Sequence, residues 1–125
     1  MNAFDRAQKA YSSPASPTRT LRGTEYDAFA RITHRLKAAK AAGSQAFPAL
    51  AMALQDNRSL WSVLAADVAD DSNALPLKLR RQIYSLATFV AKYTSRVLQG
   101  AAAADALIDI NTAIMRGLRR EGAEG

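Results

Sequence analysis

Apolar residues recur every three or four positions along most of the chain, the interval that gathers side chains on one face of a helix. The clearest stretch opens at Pro76 and runs to about Gln99. Leu79, Ile83, Leu86, Val90, Tyr93 and Val97 are spaced alternately four and three apart, as in the seam of a bundle or coiled coil. At about 100° per residue, Lys78, Arg81, Lys92 and Arg96 fall on the opposite face. Gly100 is placed to end this helix.

Four further segments follow the same logic. Thr24 is a fitting N-cap for a helix to about Ala42, with Glu25 and Asp27 favourable in the first turn and Tyr26, Phe29, Thr33 and Leu36 as its stripe. Gly43 stops it. Ser44 starts a short helix with Phe47, Leu50 and Leu54 inward, where Pro48 is tolerated because first-turn N–H groups have no intrahelical partner. Asn57 reads as the next N-cap, opening a helix to about Asp70 with Trp61, Leu64 and Val68 on one side, and residues 70–73 read as a turn. The last helix spans about Ala102 to Arg119, with Leu107, Ile110, Asn111, Ile114 and Leu118 inward. Asp105 is early in it and Arg116, Arg119 and Arg120 are late, as the helix dipole favours.

Ahead of these, Phe4, Ala7 and Tyr11 share one face of an arm too short to be helical in water unless it docks. Residues 12–20, with Pro14, Pro17 and several Ser and Thr, read as a linker. Short connections between amphipathic helices imply antiparallel packing. The expectation is an all-α fold: a small antiparallel bundle of about five helices over residues 23–120, an arm and linker over 1–22, and a flexible tail over 121–125.

Composition sharpens this. Of 125 residues, 27 are Ala and 13 Leu, against four Val and five Ile, a mix that favours helix over sheet. Cys is absent, which excludes a disulfide framework, a zinc ribbon and a thiol nucleophile. No apolar run reaches the ~20 residues that cross a bilayer, and the N-terminus lacks the apolar stretch of a secretory signal. A soluble cytoplasmic protein is the default expectation. The formal net charge of +6 fits nucleic acid, an anionic membrane surface or an acidic protein partner. The basic residues are spread along the chain, so composition does not choose among these.

Catalytic chemistry is poorly represented. His34 is the one imidazole and reads as a surface or flanking residue of its helix. Asp67, Asp70 and Asp71 imitate part of a cation site but lack the glycine and distal Glu of an EF-hand loop, so a helix end and polar turn is the better account. No Gly-rich phosphate loop follows a strand, and no strand is predicted. Neither enzyme activity nor a bound metal is expected. The stripe Lys78, Arg81, Lys92 and Arg96 is either a solvated helix face or a landing surface for an acidic partner or RNA phosphates. Trp61, Phe89 and Tyr93 are core residues or walls of a groove for a partner helix. RNA recognition usually adds exposed aromatics, and nearly every aromatic here lies on an apolar stripe, which disfavours RNA. Asn111 on an apolar face either bonds a neighbouring helix, the preferred account, or marks a polar point in a groove.

The stretch NRSLWSVLAADVADDSNALPLKLRRQIYSLATFV, Asn57 to Val90, resembles the flagellar biosynthesis regulator FlaF family. The pattern is N-x-x-L-W-x-x-L-x-x-D, then N-x-L-P-x-x-L-R-x-x-I-x-S-L-A-x-F-V. The likeness continues through LQG at Leu98–Gly100 and LIDINTAIMRGL at Leu107–Leu118, and upstream through AQKAY at Ala7–Tyr11 and the Arg22-to-Glu25 spacing with Phe29, Ile32, Thr33 and Leu36. The resemblance implies a small helical protein needed for flagellin production, export and filament assembly, with no enzyme activity and no cofactor. It implies flagellin as a partner, with the messenger-RNA-acting regulator FlbT and the export apparatus as further candidates. Two functions follow as expectations. One is a flagellin-binding secretion chaperone and regulator; the other is a post-transcriptional regulator that binds flagellin messenger RNA directly or acts through FlbT. The first is favoured, with Trp61, Arg81, Lys92 and Arg96 as the partner-binding residues and Leu86→Asp as a substitution that unfolds the bundle.

Overall fold

Four long helices account for the architecture of this computed structural model, which describes residues 17–124 and the side chains of residues 26–117. They are α1 (Pro17–Ala42), α2 (Phe47–Ala69), α3 (Leu77–Leu98) and α4 (Asp105–Glu124), with a single 3₁₀ turn at Ser44–Ala46 between the first two. The fold is all-α, a small helical bundle, and no strand occurs among the described residues. The arm carrying Phe4, Ala7 and Tyr11 lies outside the described residues.

The count is four helices rather than five because the two segments expected to meet at Asn57 are one. Asn57 is no cap: it sits in the interior of α2, fully buried. The polar residue that reads as punctuation is used for an inter-helix bond, described below. The helix boundaries also move outward. α1 begins at Pro17, inside the stretch read as linker, since proline is well suited to a first helical position, where its missing N–H costs nothing. α4 continues to Glu124, into the stretch read as a tail.

The connections are short and each is fixed by identifiable bonds. Gly43, at φ 81°, turns the chain after α1, and Pro48 occupies the first turn of α2. Beyond α2, the Asp70 carboxylate accepts from both the backbone N–H and the hydroxyl of Ser72, each at 2.8 Å, while the Asn73 side chain accepts from Leu75 N–H at 3.0 Å. These side-chain acceptors take up the N–H groups of Ser72 and Leu75 within the turn, where no backbone carbonyl does so. Asp70 has its carboxyl held below the ordinary aspartate value by the Ser72 N–H, then by the Ser72 hydroxyl, with a smaller contribution from the Arg80 charge. α3 ends in a Schellman arrangement: Ala101 N–H reaches Arg96 C=O at 2.9 Å and Gly100 N–H reaches Val97 C=O at 3.0 Å, with Gly100 at φ 76°. Tyr93 Oη donates to Ala103 C=O at 2.9 Å and ties the end of α3 to the approach to α4.

In packing, α2 is central. It lies closely against α1 and α3, α1 lies closely against α4, and α3 and α4 meet only sparsely. Because α2 has neighbours on two sides, its buried positions spread over more than one stripe: Ala53, Leu54, Asn57, Leu60, Trp61, Leu64 and Val68. The buried seam of α3 is Ile83, Ala87, Val90, Thr94 and Val97, with Leu79, Leu86 and Tyr93 half-buried along its edge. The four-three spacing is as expected, but the face is rotated toward the small side chains Ala87 and Thr94. Size explains the difference: a reading by bulk favours Leu86 and Tyr93, whereas close helix approach favours small residues. Thr94 is accommodated because its hydroxyl donates to Val90 C=O at 2.7 Å. Phe47, expected inward, is 45% exposed.

The middle of the bundle holds a polar knot. Asn111 on α4 is fully buried; its Nδ2 donates to Asn57 Oδ1 at 2.8 Å and to Thr33 Oγ1 at 3.1 Å, and its Oδ1 accepts from Trp61 Nε1 at 2.9 Å. One side-chain amide thus joins α1, α2 and α4 with three of its four hydrogen-bonding positions used. Asn57 Nδ2 has no hydrogen-bond partner in the protein. Trp61 packs edge-on against Phe29, with ring centroids 5.3 Å apart.

Candidate partner-binding surface

Helix α3 is chemically lopsided. Its 22 residues include five cations, Lys78, Arg80, Arg81, Lys92 and Arg96, and no acidic residue. Outside α3, among the described residues, two cations are paired across helices, Arg35 with Asp56 at 2.8 Å and Lys40 with Asp105 at 2.6 Å, while Arg31, Lys37 and Arg116 form no ion pair but are scattered over α1 and α4. Lys78, Arg81, Lys92 and Arg96 are exposed and form no ion pair. They lie within a narrow arc on the side of α3 away from its buried seam, as the spacing predicts.

Arg80 and Arg81 are adjacent in sequence and opposite in role. Arg80 folds back onto the end of α2, donating from Nε to Val68 C=O at 2.8 Å and from Nη2 to Asp70 C=O at 2.9 Å, with Asp71 3.7 Å away. It satisfies carbonyls that the helix terminus leaves open, at the end where the dipole favours a cation. Arg81 faces solvent and is free to meet a partner.

Apolar side chains flank the cationic ridge on both sides. On the α2 side, Leu77 and Tyr84 are each about half exposed, and with Val68, Ala69 and Arg81 they border a shallow depression of about 430 Å³. On the other side, Phe89 is 44% exposed and stacks on Tyr93, centroids 5.2 Å apart at 24°, with the Arg96 guanidinium 5.9 Å from the Tyr93 ring centre. A second depression lies at the opposite end of the bundle, among Phe47, Leu50, Val97 and Ala102. Its cation, Lys40, is already engaged by Asp105.

Three of the four residues assigned to partner binding from sequence, Arg81, Lys92 and Arg96, therefore share one exposed face. Trp61 does not join them. It is 1% exposed, and its indole N–H is spent on Asn111, so it is core rather than a groove wall. Phe89 is the converse, an aromatic on the outside. With Tyr84 it removes the argument that aromatics are confined to apolar stripes. Sequence reading missed Leu77 and Tyr84 altogether. The signal that finds them is their position outside the Ile83–Val97 stripe, where a large apolar residue has no helix to cover it.

Fold and surface together define a small all-α protein presenting a cationic, partly apolar helix face. A family model described as "Flagellar protein FlaF" matches residues 7–118, nearly the whole chain, and the chain belongs to that family. No curated protein and no solved structure matches it. No helix among the described residues is long and apolar enough to cross a membrane.

Proposed function

We propose that this flagellar protein is a flagellin-binding chaperone and regulator: it holds flagellin in the cytoplasm, supports its production and export, and so supports filament assembly without itself catalysing a reaction. The observation that carries this reading is the outer face of α3, where unpaired Arg81, Lys92 and Arg96 stand between exposed Leu77 and Tyr84 on one side and Phe89 on the other. Such a face fits an amphipathic helix, whose apolar side it desolvates and whose acidic groups it steers. Regulation follows from sequestration: a protein that counts free flagellin can pass that state to the FlbT regulator or the export apparatus. Purified protein mixed with flagellin at micromolar concentration should co-elute as a complex in gel filtration; separate elution would remove the reading.

Direct binding to flagellin messenger RNA is the second reading, and the exposed Phe89 stacked on half-buried Tyr93 beside Arg96 supports it, since aromatics and guanidinium groups are surfaces on which unpaired bases lie. A gel shift with the flagellin leader at two salt concentrations separates the two. RNA binding would weaken steeply with salt, in proportion to the number of phosphates contacted; no shift at low salt ends it.

A further inference from the structure

We infer that the depression between the end of α2 and the start of α3 is an anchor site for an acidic amphipathic helix of a partner protein. One apolar side chain of that helix enters between Leu77 and Tyr84, and its carboxylates pair with Arg81 and, farther along, with Lys92. This deepens the chaperone reading and rests on it.

The site has the composition of an anchor rather than of plain surface. Its floor and walls are Val68, Ala69, Leu77 and Tyr84, and burying a large apolar residue there would remove a further share of Leu77 and Tyr84, 53% and 52% exposed, from water. Its rim is rigid on one side, because Arg80 is locked onto Val68 and Asp70 carbonyls, and cationic on the other, because Arg81 has no counter-charge. Unpaired guanidinium next to half-exposed aliphatic surface is matched by a side chain that is apolar and has a carboxylate a turn away.

Charge also decides against the nearer occupants. A second copy of this chain carries a net +6 and would bring cations to cations. The chain's own first sixteen residues contain a single acid, Asp5, against Arg6 and Lys9. Spacing favours a helix over an extended peptide. Arg81 and Lys92 are eleven residues apart, so about 16 Å along α3. Residues eleven apart fall on nearly the same side of any α-helix, so a helix lying along α3 meets both cations with acids at that interval, and apolar residues a turn either side of the acid at Arg81 meet Leu77 and Tyr84, which lie four residues before Arg81 and three after it.

The test uses the full chain and a fluorescein-labelled helical peptide with Glu residues eleven apart and Leu a turn either side of one of them, followed by anisotropy. Controls are the same peptide with Lys for Glu, a labelled single-stranded RNA and vesicles containing phosphatidylglycerol. The expected result is saturable binding of the Glu peptide. It should weaken about ten-fold in the Arg81→Glu, Lys92→Glu double variant and several-fold in Leu77→Ser, Tyr84→Ser, with circular dichroism unchanged. No binding, equal binding of the Lys peptide, or native affinity in both variants overturns the inference. So does tighter, variant-sensitive binding of the RNA or the vesicles, which would assign the face to that class instead. The same variants against flagellin separate the inference from its parent reading. Loss of the complex on charge reversal supports it. Equal retention by native and reversed chains overturns it and leaves the chaperone reading standing. Retention by neither overturns both.

Discussion

A single buried amide shows how much one residue can specify. Asn111 bonds Asn57, Thr33 and Trp61 from inside the bundle, so its removal strands the Asn57 carbonyl and the indole N–H in an apolar interior. Each stranded group costs about 1–3 kcal/mol. Asn111→Ala should therefore lower the unfolding free energy by roughly 2–4 kcal/mol in urea titrations; a loss below about half a kcal/mol would show the bonds to be weak in solution. The choice between a neighbouring helix and a groove for Asn111 was open in the sequence, because its partners lie 78, 54 and 50 positions away. No local pattern reports such a contact. Asn57 misled for the same reason: Asn before a hydrophobic run is an N-cap signal, and only the third dimension shows that its carbonyl faces Asn111.

Asp70 gives the residue scale a pH dependence. Its folded value lies below the ordinary 3.8, chiefly because of the Ser72 N–H. A carboxyl depressed on folding contributes stability that is present above the unfolded value and is lost as pH falls through the folded one. The melting-temperature gap between native protein and Asp70→Asn should therefore be constant near neutrality and shrink on acidification below about pH 4. A gap that widens there would contradict the turn geometry.

Among the elements, α3 was the most legible and still the most instructive. Its extent, its four-three spacing and the outward placement of Lys78, Arg81, Lys92 and Arg96 follow from hydropathy alone. The exact buried face does not, since Ala87 and Thr94 are chosen by the closeness of α2 and not by their hydrophobicity. The distinction is measurable. Val90 is fully buried and Leu86 half-buried, so Val90→Asp should abolish cooperative unfolding, while Leu86→Asp, expected from the spacing to unfold the bundle, has a carboxylate able to reach water and should instead leave a folded, destabilised protein. Near-UV circular dichroism of the two variants checks the order. Arg80 and Arg81 make the parallel case at a helix end. Arg80→Ala removes two charge-assisted bonds, leaving the Val68 carbonyl without its Arg80 donor and the Asp70 carbonyl with Asn73 N–H alone, and should cost about 1–3 kcal/mol, whereas Arg81→Ala should stay within about half a kcal/mol of native. Nothing in the sequence pair Arg-Arg tells them apart; the turn at 70–73 does, by bringing the end of α2 within reach of one of them.

For the molecule as a whole, the all-α class, the helix order and the flagellar family were readable because they rest on long periodic segments and on a dense central motif. The surface was readable only in its charges. Its apolar rails escaped because exposure depends on which neighbours a helix lacks, and the near-absence of contact between α3 and α4 is a property of the assembled bundle. The paired surface charges contribute little at this scale: removing Arg35–Asp56 or Lys40–Asp105, both about half exposed, should change stability by about 0–1 kcal/mol.

The sparse seam between α3 and α4 makes the bundle asymmetric in its weakness. The knot around Asn111 clasps α1, α2 and α4, and α3 contributes nothing to it. A fluctuation that peels α3 from its one close neighbour would bare a greasy strip from Ile83 to Val97 while the other three helices stayed locked. Amide exchange in α3 should then proceed through an opening shallower than global unfolding. Tyr93 bridges that thin seam through its bond to Ala103, so Tyr93→Phe should quicken the exchange of α3 amides while leaving those of the other walls as they were.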